Sequence, residues 1–208
     1  MSKPGTPGAA SNTLLLRRQL AELTKHPVEG FSAGLVDEND FYEWEIMIIG
    51  PPDTLYLDGL MRDRTGSEGG IFKARLSFPS EFPLLPPKMR FITPMWHPNI
   101  YPDGVVCISI LHAPGEDQYG YEDAGERWMP VHTVESILVS VISLLSSNTP
   151  NLDSPANLDA ALEVRNDIAG KCCAGVDVGA GANRVSFSEG YKKKVRRLVR
   201  RSAEEAYD

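Results

Sequence analysis

Cysteine is scarce in this chain. Three thiols, Cys107, Cys172 and Cys173, stand in 208 residues. An odd count with two adjacent members argues against a disulfide framework. Cys172 and Cys173 also lack the ~2–4 residue separation and the second ligand pair of a zinc site, so no metal is expected. In a reducing compartment such a thiol is catalytic, metal-bound or buried. Long apolar runs are missing too. Nothing approaches the ~18 uninterrupted apolar residues of a membrane span, and no membrane partner is expected. Met1 to Ala10 has no apolar centre and does not read as a signal peptide. The expected location is therefore cytosolic or nuclear. Positive charge is in deficit, with 21 Lys and Arg against 28 Asp and Glu and a net charge of −7. The molecule as a whole is thus no general nucleic-acid binder.

What remains is an ordinary globular composition, 42% hydrophobic and 24% charged. Residues 1–10 read as a flexible tail. From Ser11 the pattern turns helical, with Leu16, Leu20 and Leu23 on one stripe, Ser11 or Asn12 as cap, and Pro27 as the stop. Strand-like runs follow at Phe31–Val36, Phe41–Ile49, Ile71–Phe78 and Lys88–Ile92. Turn-forming breakers separate them, as in an antiparallel meander. Residues 94–130 are irregular. Thr133 opens a strong helix whose Val134, Ile137, Leu138, Val141, Ile142 and Leu145 share one face. A shorter helix is expected over Ala156–Asn166 and a last one over Phe187–Ala206. Helix, strands, then helices is an α+β order.

The densest chemical signal is Trp96-His97-Pro98-Asn99-Ile100, followed by Val105-Val106-Cys107-Ile108. Three readings compete on chemistry alone. Cys107 could be a catalytic nucleophile, since a few per cent of a thiol is thiolate at neutral pH. Asn99 would then be able to donate to a developing oxyanion, a bond worth roughly 10²–10³ in rate. The site could instead be a papain-like thiol hydrolase with His97 or His112 as base. Or Cys107 could be a small buried hydrophobe.

His97-Pro98-Asn99-Ile100, a short Gly-containing turn, Cys107-Ile108-Ser109-Ile110-Leu111 and Trp128-Met129-Pro130 together resemble the signature of ubiquitin-conjugating enzymes. Phe82-Pro83-Leu84-Leu85-Pro86-Pro87-Lys88 is similar to that family's proline-rich loop. Gly50 to Tyr56 is similar to its strand-ending turn, and Asp153-Ser154-Pro155-Ala156-Asn157 to its loop facing the active site. The likeness covers most of residues 11–168. The stretch from Leu111 to Arg127 is long and holds Glu116, Asp117, Glu122, Asp123 and Glu126. It resembles the acidic-loop subclass, and within it the G-type branch.

The resemblance implies a single catalytic domain over residues 11–206, with four antiparallel strands, an active-site loop and C-terminal helices. It implies that Cys107 takes ubiquitin from the activating enzyme as a thioester and passes it to a lysine of a protein substrate or of ubiquitin. The expected product is a degradation-signalling chain, built with a RING-type ligase. No cofactor is implied, because ATP is consumed by the activating enzyme. Asn99 would stabilise the oxyanion or hold the loop, and both roles stay open. His97 would tie the loop rather than act as base, with His112 supporting the site. The acidic residue that assists the incoming lysine in minimal members is replaced by Ser154, with Asp153 beside it, so the acidic loop is the other source of a carboxylate. Arg17 and Arg18 match the contact for the activating enzyme. Leu84, Pro86, Pro130 and Val131 match the ligase loops. Val139 and Ser143 match the donor-ubiquitin face, and Ser32 the back-side ubiquitin site.

Two stretches depart from the family pattern. Residues 57–68 and 170–186 read as loop insertions, which surface loops tolerate at modest cost. The basic run Lys192 to Arg201 reads as the solvated face of a docked helix rather than a nucleic-acid site.

Overall fold

Period-two alternation builds the sheet. In the computed structural model, which describes residues 7–57, 69–115, 125–147, 149–164 and 187–206, four strands pair antiparallel in the order β1-β2-β3-β4. They span Phe31–Asp37, Asp40–Ile49, Ile71–Ser77 and Lys88–Phe91. Trp44 faces Leu76, Ile46 faces Ala74, and Ile48 faces Phe72. Leu76 and Ala74 continue the row to Met89 and Phe91. All of these side chains are buried. Alternate residues point the other way. On that face Lys73 reaches Glu45 across the strands at 3.3 Å.

Among the described residues four helices accompany the sheet: α1 (Pro7–Lys25), α2 (Val134–Ser146), α3 (residues 158–164) and α4 (Glu189–Ala206). Thr133 caps α2 through a capping box. Its hydroxyl accepts from the Ser136 N–H, and the Ser136 hydroxyl accepts from the Thr133 N–H. Gln19 of α1 accepts from the Val134 N–H at 2.8 Å, satisfying another orphan donor of the first turn. Val134, Ile137, Leu138, Val141 and Leu145 are buried, as the periodicity requires. Burying each such side chain contributes roughly 1.5–3 kcal/mol.

Two boundaries differ from the sequence reading. α1 starts at Pro7, inside the stretch read as tail. Proline is tolerated at the first helical position because its missing N–H would be an orphan anyway. Ser11 and Asn12 therefore lie within the helix, and the Asn12 amide donates to the Ser80 carbonyl instead of capping. The last helix starts at Glu189, with the Ser188 hydroxyl accepting from the Tyr191 N–H. Its buried face is Tyr191, Val195, Val199 and Ser202, with Leu198 at the margin. Residues 1–6, 58–68 and 170–186, with the tail and insertion readings they carry, lie wholly or mostly outside the described residues.

Candidate active site

Beyond β4 the chain doubles back through a tight turn. The Gly104 N–H donates to the Tyr101 carbonyl, and the Phe91 N–H donates to the Gly104 carbonyl. Gly104 has φ +93°, and a Cβ there would lie 2.2 Å from the Phe91 oxygen. Glycine is thus required by both conformation and space. The turn brings Val106 back beside Ile100. Both are buried, and the Cys107 N–H donates to the Asn99 carbonyl at 3.0 Å. The thiol of Cys107 is held half-buried at the end of this bridge.

His97 is a fixed strut. Its Nδ1 accepts from the Asn99 N–H at 2.9 Å. Burial lowers its pKa to about 4, with a hydrogen bond to the Leu144 backbone opposing. A neutral ring whose Nδ1 already accepts is no base for the thiol. Two phenols pin the same loop: Tyr56 and Tyr191 donate to the Trp96 carbonyl at 3.0 and 3.1 Å. Burial is the main reason both phenols titrate above their usual range.

Asn99 is committed to the loop after α2. Its Nδ2 donates to the Asn151 carbonyl at 2.8 Å, and its Oδ1 accepts from the Asn151 N–H at 3.1 Å. The Asn157 N–H donates to the Pro98 carbonyl, and the Asn157 side chain caps α3 through the Ala160 N–H. Residues 97–99 are therefore stitched to both ends of the 151–157 loop. Within it, the Asp153 and Ser154 N–H groups donate to Asn151 Oδ1, and both side chains are exposed.

His112 closes the other side. A single 3₁₀ turn, Ser109–Leu111, folds the chain back over the thiol, and the His112 N–H donates to the Ser109 carbonyl. Its own carbonyl accepts from the Trp128 N–H at 3.1 Å. The ring then stands with Nε2 3.6 Å from Cys107 Sγ. The same sulfur raises the Tyr101 pKa, first through its charge, with burial, hydrogen bonding to Cys107 and the Asp103 charge adding to it. Sequence reading missed Tyr101 and Asn151, because neither sits in a local pattern with the thiol.

The other expected residues scatter over the surface. Arg17 and Arg18 are exposed on α1, with Arg17 over the Phe41 ring at 5.2 Å. Leu84 and Val131 are 68% and 78% exposed, beside the half-buried Pro86 and the exposed Pro130. Their two loops are joined beneath, where the Trp128 indole donates to the Pro83 carbonyl at 2.8 Å. Val139 and Ser143 lie on the open face of α2, and Ser32 on the open face of β1. Glu126 is exposed, while Glu116, Asp117, Glu122 and Asp123 lie outside the described residues. Among the described residues no group of His, Cys, Asp and Glu is arranged to hold a metal.

A family profile described as ubiquitin-conjugating enzyme matches residues 15–172. Ubiquitin-conjugating enzyme E2 15 of Schizosaccharomyces pombe is 54% identical over 198 residues, covering 95% of this chain and 98% of its own. Ubiquitin-conjugating enzyme E2 G2 of Homo sapiens is 53% identical over 155 residues, covering 73% of this chain and 86% of its own. The solved structure of human ubiquitin-conjugating enzyme E2 G1 superposes with a TM-score of 0.55 at 57% identity. It covers 69% of this chain and 99% of that one. Fold and relatives agree, and the chain belongs to the ubiquitin-conjugating enzymes, a transferase of their G-type branch.

Proposed function

We propose that Cys107 is the thiol that accepts ubiquitin from the activating enzyme and surrenders it to a lysine. The supporting observation is its setting. A half-buried sulfur is fixed by the Cys107 N–H to Asn99 carbonyl bond, on a loop clamped to residues 151 and 157. In charging, the thiolate attacks the partner's thioester carbonyl, and the partner's thiol leaves. In transfer, a lysine nitrogen attacks the same carbonyl, and Cys107 leaves. ATP is spent by the activating enzyme, and this chain needs no cofactor. Asn99 serves as the loop holder, because its Oδ1 and one Nδ2 hydrogen are engaged by Asn151.

The product is a degradation-signalling polyubiquitin chain, made with a RING-type ligase in the cytosol or nucleus. Leu84 and Val131 support the ligase assignment. They are exposed apolar tips on loops rigidly joined through Trp128, the kind of anchor that carries binding energy. Arg17 and Arg18 receive the activating enzyme, Val139 and Ser143 the donor ubiquitin, and Ser32 a second ubiquitin. The acidic loop acts on the acceptor side.

The test is a charging assay with activating enzyme, ATP and ubiquitin on a non-reducing gel. A thiol-sensitive adduct is expected with the natural chain and none with Cys107→Ala. No adduct at all would refute the assignment. An adduct that survives Cys107→Ala would move the site to Cys172 or Cys173.

A further inference from the structure

The geometry points to His112 as the group that takes the proton from the attacking lysine nitrogen and returns it to the departing Cys107 sulfur. The inference rests on Cys107 being the carrier, and it names a residue for a step that the carboxylate positions leave open. Ser154 offers no carboxylate, and the Asp153 carboxylate beside it is exposed. His112 Nε2, by contrast, is 3.6 Å from Sγ. Any amine that attacks the carbonyl carbon bonded to Sγ must come within ~3–3.5 Å of that carbon. The nitrogen, the sulfur and Nε2 are then neighbours.

The proton count closes without a further reactant. A neutral lysine amine adds to the thioester carbonyl, forming a C–N bond and an oxyanion. The nitrogen, now cationic, gives one proton to His112 Nε2. The carbonyl reforms, the C–Sγ bond breaks, and the electron pair stays on sulfur. The imidazolium returns its proton to the thiolate. The products are an amide, a thiol and a neutral imidazole. No oxidant, metal or base from solution is consumed.

Several features suit the ring to this task. Imidazole titrates closest to neutral pH among side chains, the optimum for a relay that must both accept and donate. The backbone of His112 is fixed on both sides, by Ser109 and by Trp128, so the ring has a set origin. Among the described residues, Tyr101 also interacts with the sulfur, and Asp103, which acts on Tyr101, is paired with Arg90. Glu126 and Arg127 precede Trp128, whose N–H binds the His112 carbonyl. His97 is excluded from the relay, since its Nδ1 accepts from the Asn99 N–H.

The experiment is single-turnover discharge of the charged full-length protein onto free lysine, followed from pH 6 to 9, for the natural chain, His112→Gln and His112→Ala. Discharge onto hydroxylamine runs in parallel, because that amine is already unprotonated and weakly basic near neutrality. Compared at equal thioester loading, His112→Gln is expected to discharge onto lysine about 10²-fold more slowly at pH 7. Its rate should also lose the pH dependence that the imidazole confers. Hydroxylamine discharge should change far less. Added imidazole should restore part of the lysine rate in His112→Ala. A lysine rate and pH profile in His112→Gln equal to the natural chain's would overturn the relay while leaving Cys107 as carrier. So would equal slowing for both amines, which marks a structural role. Failure of the natural chain to charge would instead remove the reading on which the relay stands.

Discussion

Acid should loosen this active-site loop through His97. The folded protein keeps the ring neutral down to about pH 4, against an ordinary value of 6.5, because burial disfavours the imidazolium. Protonation would also set a Nδ1 hydrogen against the Asn99 N–H that the nitrogen now accepts. The unfolded chain has no such restraint and binds the proton as pH falls below 6.5. A depressed folded pKa therefore contributes stability that is fully present above about 6.5. That stability is lost progressively down to about 4. Each pH unit inside that window removes about 1.4 kcal/mol. At pH 5, about 1.5 units inside it, the loss is about 2 kcal/mol, and over the whole window about 3 kcal/mol. Urea unfolding in reducing buffer at pH 7 and pH 5 measures it, for the natural chain and for His97→Gln. Few carboxylates titrate between these values, and His26, His112 and His132 are common to both proteins. The natural chain should lose about 2 kcal/mol more than the variant. Equal losses would refute the reasoning, as would an NMR titration placing the His97 midpoint near 6.5.

Three further outcomes are expected. Gly104→Ala puts a methyl into the Phe91 carbonyl at a φ of +93°, so it should destabilise by about 1–3 kcal/mol and slow charging, read by urea midpoint and gel. Thr133→Ala removes the α2 cap and should lower stability by about 1 kcal/mol, with Ser136→Ala losing its reciprocal half; unchanged melting in both would contradict the capping box. Leu84→Ala combined with Val131→Ala should leave stability within about 0.5 kcal/mol, because both side chains are exposed. It should abolish the acceleration of discharge by a RING-type ligase, and a full ligase response would remove that docking assignment.

Much of the framework is written in the residues themselves. Alternation in Phe41–Ile49 and Ile71–Phe78 decides which side chains enter the core, because a strand has period two. The 3.6-residue stripe from Val134 to Leu145 does the same for α2, and Thr133 marks its start by cap chemistry. The α1 start was not legible, because proline and two alanines suit a helix as well as a tail, and Asn12 found its partner 68 residues away. The likeness of His97-Pro98-Asn99 and Cys107 to a known signature was equally plain in sequence. What each of these residues touches was not. Asn99 bonds Asn151, Tyr56 and Tyr191 meet at the Trp96 carbonyl, and Pro83 meets the Trp128 indole. All are contacts between segments far apart in the chain, set by packing and by no local period. The same holds at the thiol. Cys107 and His112 are five residues apart, a spacing that shares no face of an α-helix. Only the 3₁₀ turn between them, held by Trp128, turns the imidazole back onto the sulfur. The sequence determined the candidate thiol and the sheet behind it through residue type and periodicity. The tertiary structure alone decided what surrounds the sulfur, because those neighbours arrive through long-range hydrogen bonds that leave no local pattern.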